Sequence, residues 1–228
     1  MDNEYYILDK GQKLGPFTAH ELMKRPLEPN DIVLLPLQNQ GVPAHGMPEF
    51  EDYFALEGIY YPTPENTSSY FLRFPAAIID FLIINMGFGT IFSLLAPRYV
   101  ASLQNTFSMK SFSDPNWLVN VDKHRTELII FQIVSFVLTV FYNAFCESSK
   151  LRASVGKHLF GLAVVDESGY SIGFGQALAR NSGKIIYEIA GFVISFVAYF
   201  AYLRMIWTDR HQAFHDQFSG CYIVKKNI

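Results

Sequence analysis

The sequence predicts a small cytoplasmic α+β domain followed by an all-α transmembrane helical bundle, with a short β-hairpin-like element at the membrane surface. Half of the 228 residues are apolar and the mean hydropathy is positive, which favours a membrane protein over an ordinary soluble one. Three apolar segments, at about 74–95, 128–146 and 185–207, each approach the roughly 20 residues that a spanning helix needs. Residues 1–57 differ from the rest, with mixed polarity, short β-like runs and several Gly and Pro breakers.

Within residues 1–57, Tyr5–Leu8 and Ile32–Leu35 read as strands and Thr18–Lys24 as a helix. Thr18 followed three residues later by Glu21 forms a capping box, which fixes the start of that helix. Residues 58–70, with Pro62, Pro64, Asn66, Thr67 and Ser68, have linker composition and are expected to form a flexible tether. The Asn66-Thr67-Ser68 sequon is discounted because this linker is expected in the cytoplasm. The opening Met-Asp-Asn-Glu has neither a positive start nor an early apolar run, so no cleavable signal peptide is expected. Residues 71–228 are expected to form the membrane domain.

Two charges stand out in and just before the first apolar segment, Arg73 and Asp80. A charge at bilayer depth costs about 2.5–3.5 kcal/mol on insertion scales, so Asp80 should face protein or a water-filled cavity. On a helix the two residues share nearly one face but lie about 10 Å apart along the axis, too far to pair directly. Arg73, near a helix end, can also reach headgroups. In the second segment Gln132, Ser135, Thr139 and Tyr142 recur at three- and four-residue steps and draw a polar stripe that should face other helices. At the third, Arg180, Lys184 and Glu188 recur every four residues, as on a helix lying in the interface that bends at Gly191.

Between the second and third segments, Ser154-Val155-Gly156-Lys157 reads as a helix start, and Leu162–Val165 as a strand ending in the turn Asp166-Glu167-Ser168-Gly169. Gly220 to Val224 reads as a second short strand. Each would leave backbone groups unpaired alone, so the two are expected to pair. That pairing bears on sidedness. Three plain spans from a cytoplasmic N-terminus would put the tail outside, whereas Arg210, Lys225 and Lys226 favour the inside. The pairing sides with the charges and would bring Asp216 within reach of Arg73. We therefore expect a cytoplasmic C-terminus, with residues 180–207 re-entering or forming two short helices.

Several chemistries are not expected. A net charge of −3 without a basic, aromatic-interleaved cluster gives no sign of nucleic acid binding. Cys146 and Cys221 do not make a disulfide framework. His211 and His215 lie four residues apart near Asp209 and Asp216, but lack a His-Glu-x-x-His arrangement, so no metal is expected. Gly156-Lys157 lacks the upstream glycine of a phosphate loop, and Lys157 is expected at lipid phosphates instead. With no Ser-His-Asp or Cys-His arrangement, neither a catalytic residue nor a cofactor is expected.

The ordered set Arg73, Asp80, Ser154-x-Gly156-Lys157-x3-Gly161-Leu162-x-Val164-Val165-Asp166, Arg180-Asn181 and His215-Asp216, followed by Gly220 and Val224, resembles the RDD family of small integral membrane proteins. The resemblance spans about 70–226 and maps the family's named Arg and two Asp onto Arg73, Asp80 and Asp216. It implies a multi-pass protein of the bacterial inner membrane, with ion or proton transport proposed for some members and a membrane-quality-control adaptor role for others. Residues 1–57 are similar to GYF-like domains through Tyr5-Tyr6, Gly15-Pro16-Phe17-Thr18, Glu21-Leu22 and Glu49-Phe50-x2-Tyr53-Phe54, with Val42-Pro43 near the place of the usual Trp. This resemblance implies partner binding through Tyr5, Tyr6, Pro16 and Phe17, with a proline-rich or other peptide segment as ligand, although on residue type alone Tyr5, Tyr6 and Phe17 suit the domain core equally well. The expected function is a non-catalytic interaction or assembly component, in contact with membrane lipids and other membrane proteins of a complex. The alternative is an ion or proton transporter of the sodium/proton exchange type, using Asp80.

Overall fold

A computed structural model of the chain describes residues 4–9, 11–35, 41–108, 113–185, 206, 208 and 210–226. The N-terminal region is an antiparallel sheet of β1 (Tyr5–Asp9), β2 (Gln12–Phe17), β3 (Ile32–Leu34) and β4 (Val42–Pro43) in the order β2-β1-β3-β4. Helices α1 (Ala19–Met23) and α2 (Glu51–Leu56) complete it. The expected capping box forms, with Glu21 N–H donating to Thr18 Oγ1 at 3.3 Å and Thr18 N–H to Glu21 Oε2 at 2.8 Å. Tyr5, Leu22, Leu27, Val33, Phe50 and Phe54 pack into a core of its own. Tyr5 is 2% exposed, and its hydroxyl donates to Glu49 at 3.2 Å, so it supports the domain rather than a binding face. Alternation along β1 leaves Tyr6 half-buried.

Two long antiparallel helices follow, α3 (Tyr70–Leu95) and α6 (Arg125–Ser148), joined through α4 (Pro97–Thr106) and α5 (Trp117–Lys123). The 26 residues of α3 extend about 39 Å at 1.5 Å per residue, enough to cross a bilayer. Only 6% of its most apolar window, and 17% of that in α6, is buried inside the protein. Both helices are long and apolar enough to cross a membrane, and little of either apolar window is covered by protein. On α3 the buried residues are Arg73, Ala76, Asp80 and Ile84, a stripe at three- and four-residue steps, while Phe81 and Met86 on other faces are 63% and 70% exposed. The third apolar segment lies almost wholly outside the described residues, as do Glu188, Gly191 and Asp209.

At the end where α3 begins and α6 finishes, the remaining elements gather: α7 (Val155–Leu159), β5 (Leu162–Asp166), α8 (Phe174–Ser182), α9 (Phe214–Phe218) and β6 (Cys221–Lys225). The two strands pair antiparallel from Leu162 opposite Lys225 to Asp166 opposite Cys221. Their period-two alternation splits the side chains between two layers. Leu162, Val164, Cys221 and Ile223 pack with Ala144, Ile172 and Ala177 on the helical side. Ala163, Val165, Tyr222 and Val224 pack on the other, against Tyr60.

The segment 58–70 is not a loose tether. Thr67 bridges to Val224, Ser68 N–H donates to Ile223 O at 2.8 Å and Lys225 N–H to Asn66 O at 2.8 Å, so the segment extends the hairpin. Farther back, Tyr60 N–H donates to Gly169 O at 2.9 Å, and Arg152 donates to the Gly58 carbonyl. Asp166 shapes that docking point, its Oδ1 accepting the N–H groups of Ser168 and Tyr170 at 2.9 Å each. Gly169 sits at φ +85°, where a Cβ would lie 2.6 Å from Tyr61 N. Its glycine is required twice, by conformation and by space. The composition suggested flexibility because Pro, Asn and Ser favour irregular backbone, but the free edge of β6 supplies partners for that backbone.

Candidate functional site

Asp80 sits about ten residues into α3 and points at the start of α7. It accepts the Ser154 hydroxyl, the Gly156 N–H at 2.8 Å and the Tyr142 hydroxyl at 3.2 Å. The carboxylate thus satisfies an N–H at the beginning of a short helix from outside that helix, the task an N-cap side chain performs within one. This geometry requires α7 to approach α3 very closely. A Cβ on Gly156 would fall 2.1 Å from Ala76 O and 3.0 Å from Asp80 Cγ. Gly156 and Asp80 therefore form one contact, read from its two sides.

A second group of charges lies beside it. Glu147, fully buried at the end of α6, accepts Arg180 Nη1 on both oxygens at 2.7 and 2.8 Å, Asn181 Nδ2 at 2.8 Å, and the Lys157 ammonium. Asp216 accepts Arg73 Nη1 at 2.7 Å and Arg180 Nε at 2.8 Å, and also the Ala213 N–H at 3.2 Å at the start of α9. Arg180 therefore bridges two carboxylates, its planar fork matching both. Through these contacts α3, α6, α7, α8 and α9 meet at one point. Burial opposes ionisation of Asp216, but Arg180, His215 and Arg73 together hold its carboxyl below the usual range. Burial likewise works against Arg180, yet Glu147 and Asp216 raise its pKa further. The cluster stays charged.

Two neighbours behave differently. Burial pushes the His215 imidazole down to about 3 despite Asp216, with Arg180, Lys184 and Arg73 adding to the effect, so it is neutral in ordinary buffers. Lys184 follows α8 and donates to Asn181 Oδ1 at 2.6 Å. Burial first, and then Lys157, lower its pKa to about 7. Alongside lies a cavity of about 220 Å³ bordered by Arg73, Asp80, Thr139, Asn143, Lys157 and Lys184. Another of about 130 Å³, bordered by Asn85, Gln132, Ser135 and Thr139, shares Lys184 with it.

The structure brings Arg73, Lys157, Arg180, His215 and Asp216 together, with Gly156 and Asp80 beside them. Asp166 stands apart, at the end of β5, where it shapes the turn that follows that strand. Two expectations are corrected. Lys157 does not reach lipid phosphates; it is 7% exposed and its ammonium is held by Glu147. Arg180 does not lie on an interfacial face; it is 1% exposed, because two carboxylates compensate its charge. The polar stripe of α6 reaches Asp80 through Tyr142, although Gln132 remains exposed. Sequence reasoning missed Glu147, Asn143 and Asn181. Continuing that stripe from Thr139 in four-residue steps reaches Asn143 and then Glu147, which is the signal that could have found those two. His211 Nδ1 contacts Thr67 Oγ1 at 3.3 Å, away from His215, and among the described residues no group of three His, Cys, Asp or Glu is placed to hold a metal.

On the binding face expected in the N-terminal region, Pro16 is exposed, while Tyr6 and Phe17 are half-buried. Lys13 Nζ lies 4.0 Å from the Tyr6 ring centroid and Arg25 Cζ 4.1 Å from that of Phe17.

Uncharacterized protein YxaI of Bacillus subtilis (strain 168) is 26% identical to this chain over 163 residues, covering 71% of the chain and 99% of that relative. No solved structure matches. The model of the RDD family matches residues 67–220, the stretch that contains both halves of the charge cluster and strand β5, and it ends just before β6. The chain belongs to the RDD family, a membrane-associated family, and Arg73, Asp80 and Asp216 are held in the interior that its helices and hairpin enclose.

Proposed function

We propose that the protein is a non-catalytic interaction or assembly component of a membrane complex, in which the RDD bundle is a rigid base and residues 1–57 contact a partner protein. One observation carries this reading: the family-motif carboxylates are committed to holding elements together. Asp80 receives donors from Tyr142, Ser154 and Gly156, and Asp216 holds two arginines, so the acceptor capacity of both carboxylates is spent on structural contacts. The N-terminal region is anchored to this base by Tyr60, Gly58 and the Asn66–Ser68 segment, leaving Tyr6, Pro16 and Phe17 toward the surface. Its resemblance to GYF-like domains suggests an extended, proline-rich or similar peptide as ligand, since flat rings stack on a preformed polyproline helix at little entropic cost. Purification of the full chain in mild detergent tests the reading. A stoichiometric partner should accompany the parent protein and be lost with Tyr6→Ala; a Tyr6→Ala protein that retains every partner contradicts it.

We place both termini in the cytoplasm of a bacterium, at the inner membrane. Support comes from the β6 contacts to Asn66 and Ser68, which put the tail on the same side as the N-terminal region, and from Arg210 and Lys225 in that tail. A reporter active only in the periplasm, fused after Ile228, should stay silent.

A second reading, a sodium- or proton-coupled transporter using Asp80, is favoured by the cavities. One borders Asp80 and the other borders the Gln132 stripe, and they share Phe81, Thr139 and Lys184. The committed hydrogen bonds of Asp80 weigh against it.

A further inference from the structure

Lys184 is the charged group that the cluster's architectural role does not absorb. Among the described residues four cations, Arg73, Lys157, Arg180 and Lys184, gather around three carboxylates, Asp80, Glu147 and Asp216. Glu147 and Asp216 pair with the first three cations, whereas Lys184 forms no ion pair among the described residues and donates to a neutral amide oxygen. The surplus positive charge borders the cavity of about 220 Å³, far larger than the roughly 10–15 Å³ that admits one water. Asp80, the carboxylate on that wall, is occupied on both oxygens by Tyr142, Ser154 and Gly156. Lys184 is half-buried, and a surplus cation on the wall of such a cavity is stabilised by an anion or by losing its proton. Lysine binds phosphate as a compact point charge, and basic pockets between spanning helices suit anionic headgroups.

We propose that this cavity binds one phosphate-type oxyanion, either free inorganic phosphate or the phosphate of an anionic lipid, with the Lys184 ammonium as its direct partner and Lys157 and Arg73 shaping the field around it. The site goes beyond the assembly role and does not depend on it. Affinity follows the charge on Lys184, whose pKa of about 7 makes the site cationic below neutral pH and neutral above it. The groups facing this ammonium are Glu147 on α6, Lys157 on α7, Arg180 on α8, His215 and Asp216 on α9, and Arg73 and Asp80 on α3. Glu188, four residues further in sequence, lies outside the described residues.

The full-length protein in zwitterionic detergent is titrated calorimetrically with inorganic phosphate, with short-chain phosphatidylglycerol, and with short-chain phosphatidylcholine. Saturable binding is expected near pH 6, weakened about tenfold or more near pH 8.5 as Lys184 loses its proton. The direction is diagnostic for inorganic phosphate, which gains charge over that range and would otherwise bind more tightly. Lys184→Gln, which can still donate to Asn181, should also weaken binding about tenfold near pH 6 and abolish the pH dependence. Binding of inorganic phosphate identifies the free ion as a source; binding of phosphatidylglycerol alone identifies the lipid. Equal binding of phosphatidylglycerol and phosphatidylcholine, binding indifferent to pH, or no binding overturns the proposal, the last being the result if Glu188 already supplies the missing charge. Should Lys184→Gln not fold, the pH series on the unaltered protein decides.

Discussion

Replacing Glu147 by Gln keeps the shape of the side chain and removes the charge on which the cluster converges. In the folded protein Glu147 accepts Arg180 at 2.7 and 2.8 Å, Asn181 at 2.8 Å, and Lys157. The amide keeps one acceptor oxygen and points a donor at donors with the other end. Removing one partner of a buried ion pair costs about 3–5 kcal/mol, because the remaining charge stays buried without compensation. Arg180 retains Asp216, at 2.7 Å, while Lys157 keeps Asn143, a neutral partner at 3.5 Å; we therefore expect the lower end, about 3 kcal/mol. For a chain of this size that corresponds to a fall of roughly 6–12 °C in melting temperature. The assay is thermal unfolding of the detergent-solubilised full chain, with exposed Glu65→Gln as the control. Glu147→Gln combined with Arg180→Gln should cost less than the sum of the single changes, since the pair is removed together. A melting temperature matching that of the control, or strictly additive losses, refutes the idea that Glu147 holds the bundle together.

Three further outcomes are expected. Gly156→Ala should prevent accumulation of monodisperse protein, because its Cβ would lie 2.1 Å from the Ala76 carbonyl oxygen, while Gly87→Ala, inside α3 with nothing within 4 Å, should pass unnoticed; equal size-exclusion profiles contradict the close approach of α7 to α3. Stability should climb as pH rises from about 7 toward 10, where unfolded Lys184 still holds a proton that the folded protein has lost, and should fall below about 6.5, where unfolded His215 gains a proton that the folded site refuses. Lys184→Met should flatten the upper slope and His215→Gln the lower one; melting curves whose slopes are unaltered by either change disagree with these assignments. Residues 1–57, having their own core around Phe50 and Leu22, should yield a soluble fragment with dispersed NMR signals that Tyr6→Ala leaves intact, whereas a collapsed spectrum means the domain requires its contacts with the hairpin.

What could be read from the sequence was local or periodic. The Thr18 and Glu21 box starts α1 because both partners lie within one turn. The two long helices and the β5–β6 pairing follow from apolar length and from the need to satisfy backbone groups. Strand β2 was hidden because its edge position leaves it polar and exposed, with Gly15 and Pro16 inside it. The charge cluster was only half legible. Arg73, Asp80 and Asp216 stood out against apolar surroundings or through the family pattern, but the apolar segment of α6 ends at Cys146, and Glu147 one residue later looks like an ordinary helix end. Without Glu147, Lys157 and Arg180 have no visible counter-charge, and the membrane surface is then the natural place for both. Their true partners come from elements 10 and 33 residues away in sequence, a distance that spacing rules on a single helix do not reach.

Flux through the purified protein tests the central claim, that the Asp80 carboxylate of α3 is architectural. The full chain is reconstituted in sealed vesicles under sodium and proton gradients, beside Asp80→Asn, with folding of each checked by size exclusion. The account predicts that the parent protein carries no sodium- or proton-coupled flux above empty vesicles, and that Asp80→Asn loses stability through its weakened contacts to Ser154, Gly156 and Tyr142. Gradient-driven flux in the parent, abolished by an Asp80→Asn protein that folds normally, contradicts it.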